Sequence, residues 1–364
     1  MLRQILALAF IFVCTSIAWV ILGATIFSRT YGSNEQLQGR VASTWGTSQQ
    51  QSPPTATYTT TDAVNSTTVE NGKVIIHSKT EHWQVPMPVQ ASRIHVNLRL
   101  IPRQKGLLWY STYAVEFAGD YAFRNNTAEA QTVDFRLKFP AQKAIYDGLQ
   151  MKVNQQAVAL AADAQGTVGQ ATVGPGETAS LHVAYRSQGL DSWCYQLGDG
   201  IAQARDFVLT MQTNFRDIDF ADDTLSPTSK ELVSGGWQLT WQYSNLVSGF
   251  QIGMTMPQKL QPGPLAGEIS YAAPVSLFFF FFLMFIITTL RNIDLHPMNY
   301  FFLATAFFAF HLLLAYLVDH ISIHAAMILA SVVSVGLVVS YLRLVLGLRF
   351  AALEAGTAQL IYLV

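Results

Sequence analysis

Apolar runs free of charge occupy two places in this 364-residue chain: Ile5 to Phe27, and a crowd of runs after Ile269. Between them lies a long polar stretch, Ser28 to Glu268. A hydrocarbon core about 30 Å thick takes about 20 apolar residues at ~1.5 Å rise each. Ile5 to Phe27, Ile269 to Leu290 and Met298 to Val318 meet that length, and Ala325 to Leu342 meets it once Ile321 to Ile323 extend it. A fifth run begins at Ala355 and reaches the last residue, Val364, too soon to span a bilayer. Core helices of a water-soluble protein would need a polar face, which these runs lack. The pattern therefore predicts a transmembrane anchor over 1–28, a polar region, and transmembrane helices within 269–364, at about 269–290, 298–318 and 322–342, with an incomplete one from 355.

Composition narrows the class. Charged residues make up 12% of the chain, about half the ~25% of an ordinary soluble domain. Lys plus Arg is 22 against Asp plus Glu 23, so no basic surface for nucleic acid is expected. The two cysteines, Cys14 in the first run and Cys194 in the polar region, are too far apart in such a layout for a disulfide framework. The first run is longer than a secretory signal core and has no A-x-A-like site before Arg29, which favours an uncleaved signal anchor. Arg3, Arg291, Arg343 and Arg349 all fall on one side of the bilayer when the N-terminus is cytoplasmic. The positive-inside rule then puts the polar region outside the cytoplasm.

That region divides in two. The Ser-, Thr-, Gln- and Pro-rich segment within 29–72, densest from Ser43 to Thr68, reads as a flexible tether with too little apolar surface to pack. From Lys73 to Pro262 the pattern becomes alternating: Arg93 to Ile101, Tyr110 to Phe123, Thr132 to Phe139, Ala179 to Tyr185, Asp206 to Phe215 and Trp237 to Tyr243 each read as half-buried strands. Turn signals separate them at Arg124-Asn125-Asn126, Gly174-Pro175-Gly176-Glu177, Gly198-Asp199-Gly200 and Ser234-Gly235-Gly236. Strands without helix-length periodicity between them predict an antiparallel β-sandwich over 73–262, as one unit or two. The expected fold is thus membrane α plus β: anchor, extracytoplasmic sandwich, then a cluster of transmembrane helices. Pro262-Gly263-Pro264 reads as a short, stiff link into the membrane, with Pro274 in the first turn of the next helix.

Candidate chemistry is sparse. His311 is an ionisable group inside an apolar run, where such groups mark ion pathways or simply bond a neighbouring helix. Asp319, His320 and His324 have ligand-like spacing at a turn, though zinc wants three or four ligands in a fixed frame. Asp217, Asp219, Asp222 and Asp223 offer oxygen ligands without a calcium-loop motif. Ala326, Ala330 and Ser334, four apart, read as a close helix contact rather than a ligand site. No phosphate loop, H-E-x-x-H, C-x-x-C or G-x-S-x-G motif occurs. We therefore expect no catalytic residues, cofactor or metal. Asn65-Ser66-Thr67 and Asn125-Asn126-Thr127 match the short glycosylation acceptor pattern.

Leu295-His296-Pro297-Met298-Asn299-Tyr300, followed by a Phe- and Leu-rich helix and Val318-Asp319-His320-Ile321, resembles the membrane region of the CreD family of bacterial inner-membrane proteins. Ala273-Pro274-Val275-Ser276-Leu277 and Ser340-Tyr341-Leu342-Arg343 fit the same picture. The resemblance implies a multi-pass inner-membrane protein with a periplasmic domain, a role in cell-envelope integrity or envelope stress, and further helices after Val364. It supplies no catalytic residues. The expected function is non-enzymatic binding or scaffolding by the sandwich, with the lipid bilayer and either envelope proteins or other membrane subunits as partners. The alternative is a transporter or channel component using polar residues of the later helices. Candidate functional residues are His296, His311, Asp319 and His320.

Overall fold

The computed structural model describes residues 2–32, 34–70, 73–106, 108–198 and 200–363. They form two compact units. One comprises Met1–Gly39, Gln104–Trp109 and Lys259–Val364, and the other Arg40–Arg103 and Tyr110–Gln258.

The first unit is helical. Helix α1 spans Leu2–Tyr31, and α2, Asn34–Trp45, follows it. Helices α3 (Pro262–Leu290), α4 (Pro297–Leu317) and α5 (Ile323–Leu346) lie in the C-terminal part. Among the described residues, four helical stretches are long and apolar enough to cross a membrane: the N-terminal one, α3, α4 and α5. The last apolar run starts earlier than expected. Gly347, at φ 86°, ends α5. A short helix α6, Leu348–Phe350, then runs through a π-helical turn, Ala351–Gly356, into α7, Thr357–Leu363.

One expectation needs correction. Helix α3 begins at Pro262 itself, so Pro262-Gly263-Pro264 is its opening turn, where missing N–H groups cost nothing. Pro274 therefore sits inside the helix, and apolar helices in bilayers tolerate such an interruption. Helices α1 and α3 approach through two glycines: the Tyr271 ring fills the space a Cβ on Gly23 would need, and the Phe27 ring does the same at Gly267. Small residues at such contacts are how helices pack without a hydrophobic driving force.

The second unit holds most of the strands. In chain order they are β1 (Gln49–Gln51), β2 (Thr55–Glu70), β3 (Lys73–Met87), β4 (Val89–Leu100), β5 (Arg103–Lys105), β6 (Leu108–Tyr110), β7 (Thr112–Arg124), β8 (Gln131–Lys138) and β9 (Tyr146–Val153). Then come β10 (Gln156–Ala157), β11 (Leu160–Ala162), β12 (Gly166–Val173), β13 (Thr178–Leu190), β14 (Ser192–Tyr195), β15 (Ala202–Thr213), β16 (Ser229–Val233), β17 (Gly236–Ser248) and β18 (Ile252–Thr255). An eight-stranded sheet runs β10-β9-β13-β7-β4-β15-β17-β16, a five-stranded one β11-β12-β8-β2-β3, and a small one β1-β14-β18. The pairing is antiparallel except for β4 with β15 and β1 with β14.

All six strands expected from alternation are present. Strand β7 shows why: Val115, Phe117 and Phe123 turn inward while Glu116 and Asp120 face out. A single core takes Ile94, Val96, Leu181 and Leu209 from the large sheet, Val133, Phe135 and Ala56 from the five-stranded one, and Trp193 and Ile252 from the small one. Phe123 and Phe135 meet edge to face at 5.7 Å between the two larger sheets. These buried residues form one continuous cluster across the three sheets.

The tether is a second correction. Its Ser/Thr/Gln segment forms the end of α2, then β1 and β2. Strand β2 pairs with β3 from Ala56↔Met87 to Glu70↔Lys73 and with β8 from Thr55 to Tyr58. Its threonines are β-branched, and on a paired strand that outweighs low hydrophobicity. The sandwich therefore begins before Lys73: Ala56 is buried in its core. Residues 33, 71 and 72 of the tether, Asp199 of the expected turn, and the terminal residues Met1 and Val364 lie outside the described residues.

Candidate functional site

His296, His311, Asp319 and His320 each have an identifiable neighbour. His296 caps α4, its Nδ1 accepting from the Met298 N–H at 3.2 Å. His311 is buried among rings, with Trp19 edge-on at 5.8 Å and Phe310 at 4.9 Å, and its Nδ1 lies 3.2 Å from the Phe307 carbonyl of its own helix. Asp319 lies beyond the end of α4 and meets Arg29 of α1 at 3.3 Å. Arg29 also donates to the Ala315 carbonyl at 3.1 Å. His320 packs edge-on against Tyr316. The structure therefore does not assemble His311, Asp319 and His320 into one constellation. Among the described residues no three His, Cys, Asp or Glu converge as metal ligands, the Asp217 to Asp223 group included.

The residues behind the family resemblance tie helices together. The Tyr341 hydroxyl of α5 donates to Asn299 Oδ1 of α4 at 2.6 Å, and Tyr300 approaches the Thr288 hydroxyl at 3.3 Å. Arg291, after α3, pairs with Glu354 of the π-helical turn at 2.6 Å.

The expected small-residue face of α5 is a close contact. Ala326, Ala330 and Ser334 are all fully buried, and Ser334 donates to the Ala306 carbonyl of α4 at 2.6 Å. Gln359 of α7, absent from the sequence candidates, donates to Ser334 Oγ at 2.6 Å. Its Oε1 is buried without a partner. The available signal was an amide inside the last apolar run. A π-helical turn just before it rotates the register by which α7 faces α5.

The second unit offers a different kind of site. On the outer face of the eight-stranded sheet, a groove of about 490 Å³ crosses β9, β13, β7, β4 and β15. Ala118 and Ala184 keep its floor low, and His95, Asn97, Glu116, Gln150, Arg186 and Gln212 project around them. These are the outward members of the alternation whose inward members build the core. Asn97 Nδ2 lies 3.4 Å from Glu116 Oε2, and Arg186 pairs with Asp147 at 2.6 Å. The lining thus mixes donors and acceptors, with groups of both charge signs.

Beneath this face the interior is inert. Tyr113, Tyr121, Tyr185 and Tyr195 are buried, and burial pushes their phenols above the ordinary tyrosine value. They stay neutral and act as hydrogen-bond posts: Tyr185 donates to Gln51 Oε1 at 2.7 Å, and Tyr113 to the Ser192 carbonyl at 2.7 Å. Burial likewise raises the Cys194 thiol, so little of it is the nucleophilic thiolate at neutral pH.

No curated protein matches this chain. Solved structures match it at low identity and low structural similarity. A candidate nutrient-binding protein of Legionella pneumophila matches at 13% identity and TM-score 0.34, over 54% of this chain and 74% of that one. An M1 zinc metallopeptidase of Deinococcus radiodurans matches at 12% identity and TM-score 0.31, over 46% of this chain and 42% of its own. This chain therefore spans less than half of the peptidase, and similarity at this level carries no argument about activity. In the helical C-terminal part, residues 266–364 match the family described as inner membrane protein CreD.

Proposed function

We propose that this is a non-enzymatic protein of the bacterial inner membrane whose β-sandwich lies in the periplasm and binds a protein or another envelope component, in the service of envelope integrity or envelope stress response. The observation that carries the reading is the polar groove on the eight-stranded sheet, a recess within the size range of binding sites and lined by convergent polar groups. The orientation rests on Arg3, Arg291, Arg343 and Arg349 at one end of the helices. Arg29, at the other end, is engaged with Asp319. A transport role has less support, since His311 and Asp319 each turn to separate structural partners.

A photoreactive residue at Gln212, on the groove's edge, tests the reading in intact cells. Specific adducts are expected, and Arg186→Glu should reduce them by roughly tenfold, the usual scale for a reversed charge at a contact. Adducts unchanged by that reversal would contradict it. So would an envelope phenotype lost only on changing polar residues of the helices and never on changing the groove.

A further inference from the structure

Helices α1 and α3 leave an apolar slot of about 360 Å³ between them. It is lined by Ile5, Leu8, Ala9 and Phe12 on one side and Phe278, Phe281, Phe282 and Phe285 on the other. Phe12 and Phe278 meet edge to face at 5.9 Å at its inner end. Within a bilayer a gap of this kind forfeits dispersion contacts on every wall unless something apolar fills it.

At the end nearer Gln4 the slot continues into a polar cavity of about 300 Å³, which shares Leu8 and Phe285 with it. Gln4, Thr288, Thr289, Asn292, Asp294 and Tyr300 contribute the polar lining of that cavity. The lip is fixed by the way α3 ends. Asn292 takes the left-handed conformation at φ 51°, and the Ile293 N–H returns to the Thr288 carbonyl at 2.8 Å while the Asn292 N–H returns to Thr289. Such a terminus turns the chain sharply at a residue that tolerates positive φ. It delivers Asp294 to Gln4, whose Nε2 donates to Oδ1 at 3.0 Å.

Length fits one leaflet. From Gln4 to Phe12 is eight helical residues, about 12 Å, against the ~15 Å that is half of a hydrocarbon core. Charge then selects the headgroup. Asp294 is the one charged residue lining the polar cavity among the described residues. Arg291 on the same turn is held by Glu354 at 2.6 Å. With one bond from Gln4, the Asp294 side chain keeps acceptor capacity for further donors.

We infer that this composite site holds a phospholipid with an ammonium headgroup, one acyl chain lying in the α1–α3 slot and the ammonium on Asp294. The side-chain amides of Gln4 and Asn292 offer donors to the phosphate beside it, and the exposed Arg3 stands at the same end of α1. The inference rests on the membrane placement of α1 and α3 and is independent of the groove on the sandwich.

The full chain, purified in mild detergent and titrated with dioleoylphosphatidylethanolamine or dioleoylphosphatidylglycerol, provides the test by native mass spectrometry. Phosphatidylethanolamine should be retained in preference, and Asp294→Asn, at an exposed position, should lower that preference by about tenfold, the scale of one charge-assisted hydrogen bond. Ala9→Trp, which fills the slot, should remove both lipids. A photoreactive residue at Phe282 in membranes gives a second readout should Ala9→Trp fail to fold, and lipid adducts are expected there. Equal retention of the two lipids, indifference to Asp294→Asn, or purely protein adducts from position 282 would each overturn the assignment, the last by showing that a second copy or another helix fills the slot.

Discussion

Trp241→Ala is expected to unfold the sandwich under conditions in which the unchanged protein is native. Trp241 is fully buried on β17 at the level of Leu209, and its indole N–H donates to the Leu225 carbonyl at 2.8 Å. Removing a buried aromatic side chain of this size costs about 3–5 kcal/mol, and the unpaired carbonyl adds about 1 kcal/mol. A domain stability of about 5–15 kcal/mol leaves little margin for such a loss. Trp83, 52% exposed on β3, is the control, and Trp83→Ala should shift stability by no more than about 0.5 kcal/mol. Pulse proteolysis in increasing urea separates the two, because cleavage follows the opened fraction of the domain. Equal midpoints for both variants would mean that the single core is not what holds the sandwich together.

The second large effect lies in the helices. Ser334→Leu inserts bulk where α5 touches α4, and it removes the hydroxyl that links Gln359 to the Ala306 carbonyl. Overpacking costs about 1–3 kcal/mol. Stripping Gln359 of its remaining partner adds about 1 kcal/mol, because both of its polar atoms are then buried and unpaired. The double variant Ser334→Ala with Gln359→Leu should be less destabilised than Ser334→Leu, since it removes donor and acceptor together. Thermal unfolding in detergent reads the difference. The opposite order would mean that the Gln359–Ser334 pair is not a buried polar contact.

Much of this was legible in the sequence, for identifiable reasons. Helices α3, α4 and α5 are apolar around most of their circumference and long enough to span a bilayer, a combination readable from sequence alone. Strands β4, β7 and β13 alternate strictly because one face is core and the other solvent. Strand β2 is hard to read because Thr and Ser dominate it, and composition does not show that it pairs. The signal was nonetheless present: Asn71-Gly72 falls between two β-branched runs, a strong short-range hairpin mark. The start of α3 is ambiguous in sequence because Pro and Gly serve equally in linkers and in the first turn of a helix.

The candidate sites were less visible. Arg29 and Asp319 are 290 positions apart, and nothing local announces that they meet. The groove on the eight-stranded sheet depends on small outward residues, Ala118 and Ala184, coming side by side from β7 and β13, which are partners in register. Alternation predicts that both face out. Only strand order reveals that they adjoin.

If the sandwich stands outside the cytoplasm, a single labelling measurement shows it. Ile201, 79% exposed in the sandwich, is replaced by Cys in a chain whose Cys14 is replaced by Ser, leaving only the buried, poorly ionised Cys194 as background. A membrane-impermeant maleimide is then applied to intact spheroplasts. The account predicts full labelling at position 201 before lysis, with none in the chain that keeps Ile201. Labelling that appears only after the membrane is broken would put the sandwich in the cytoplasm and contradict it.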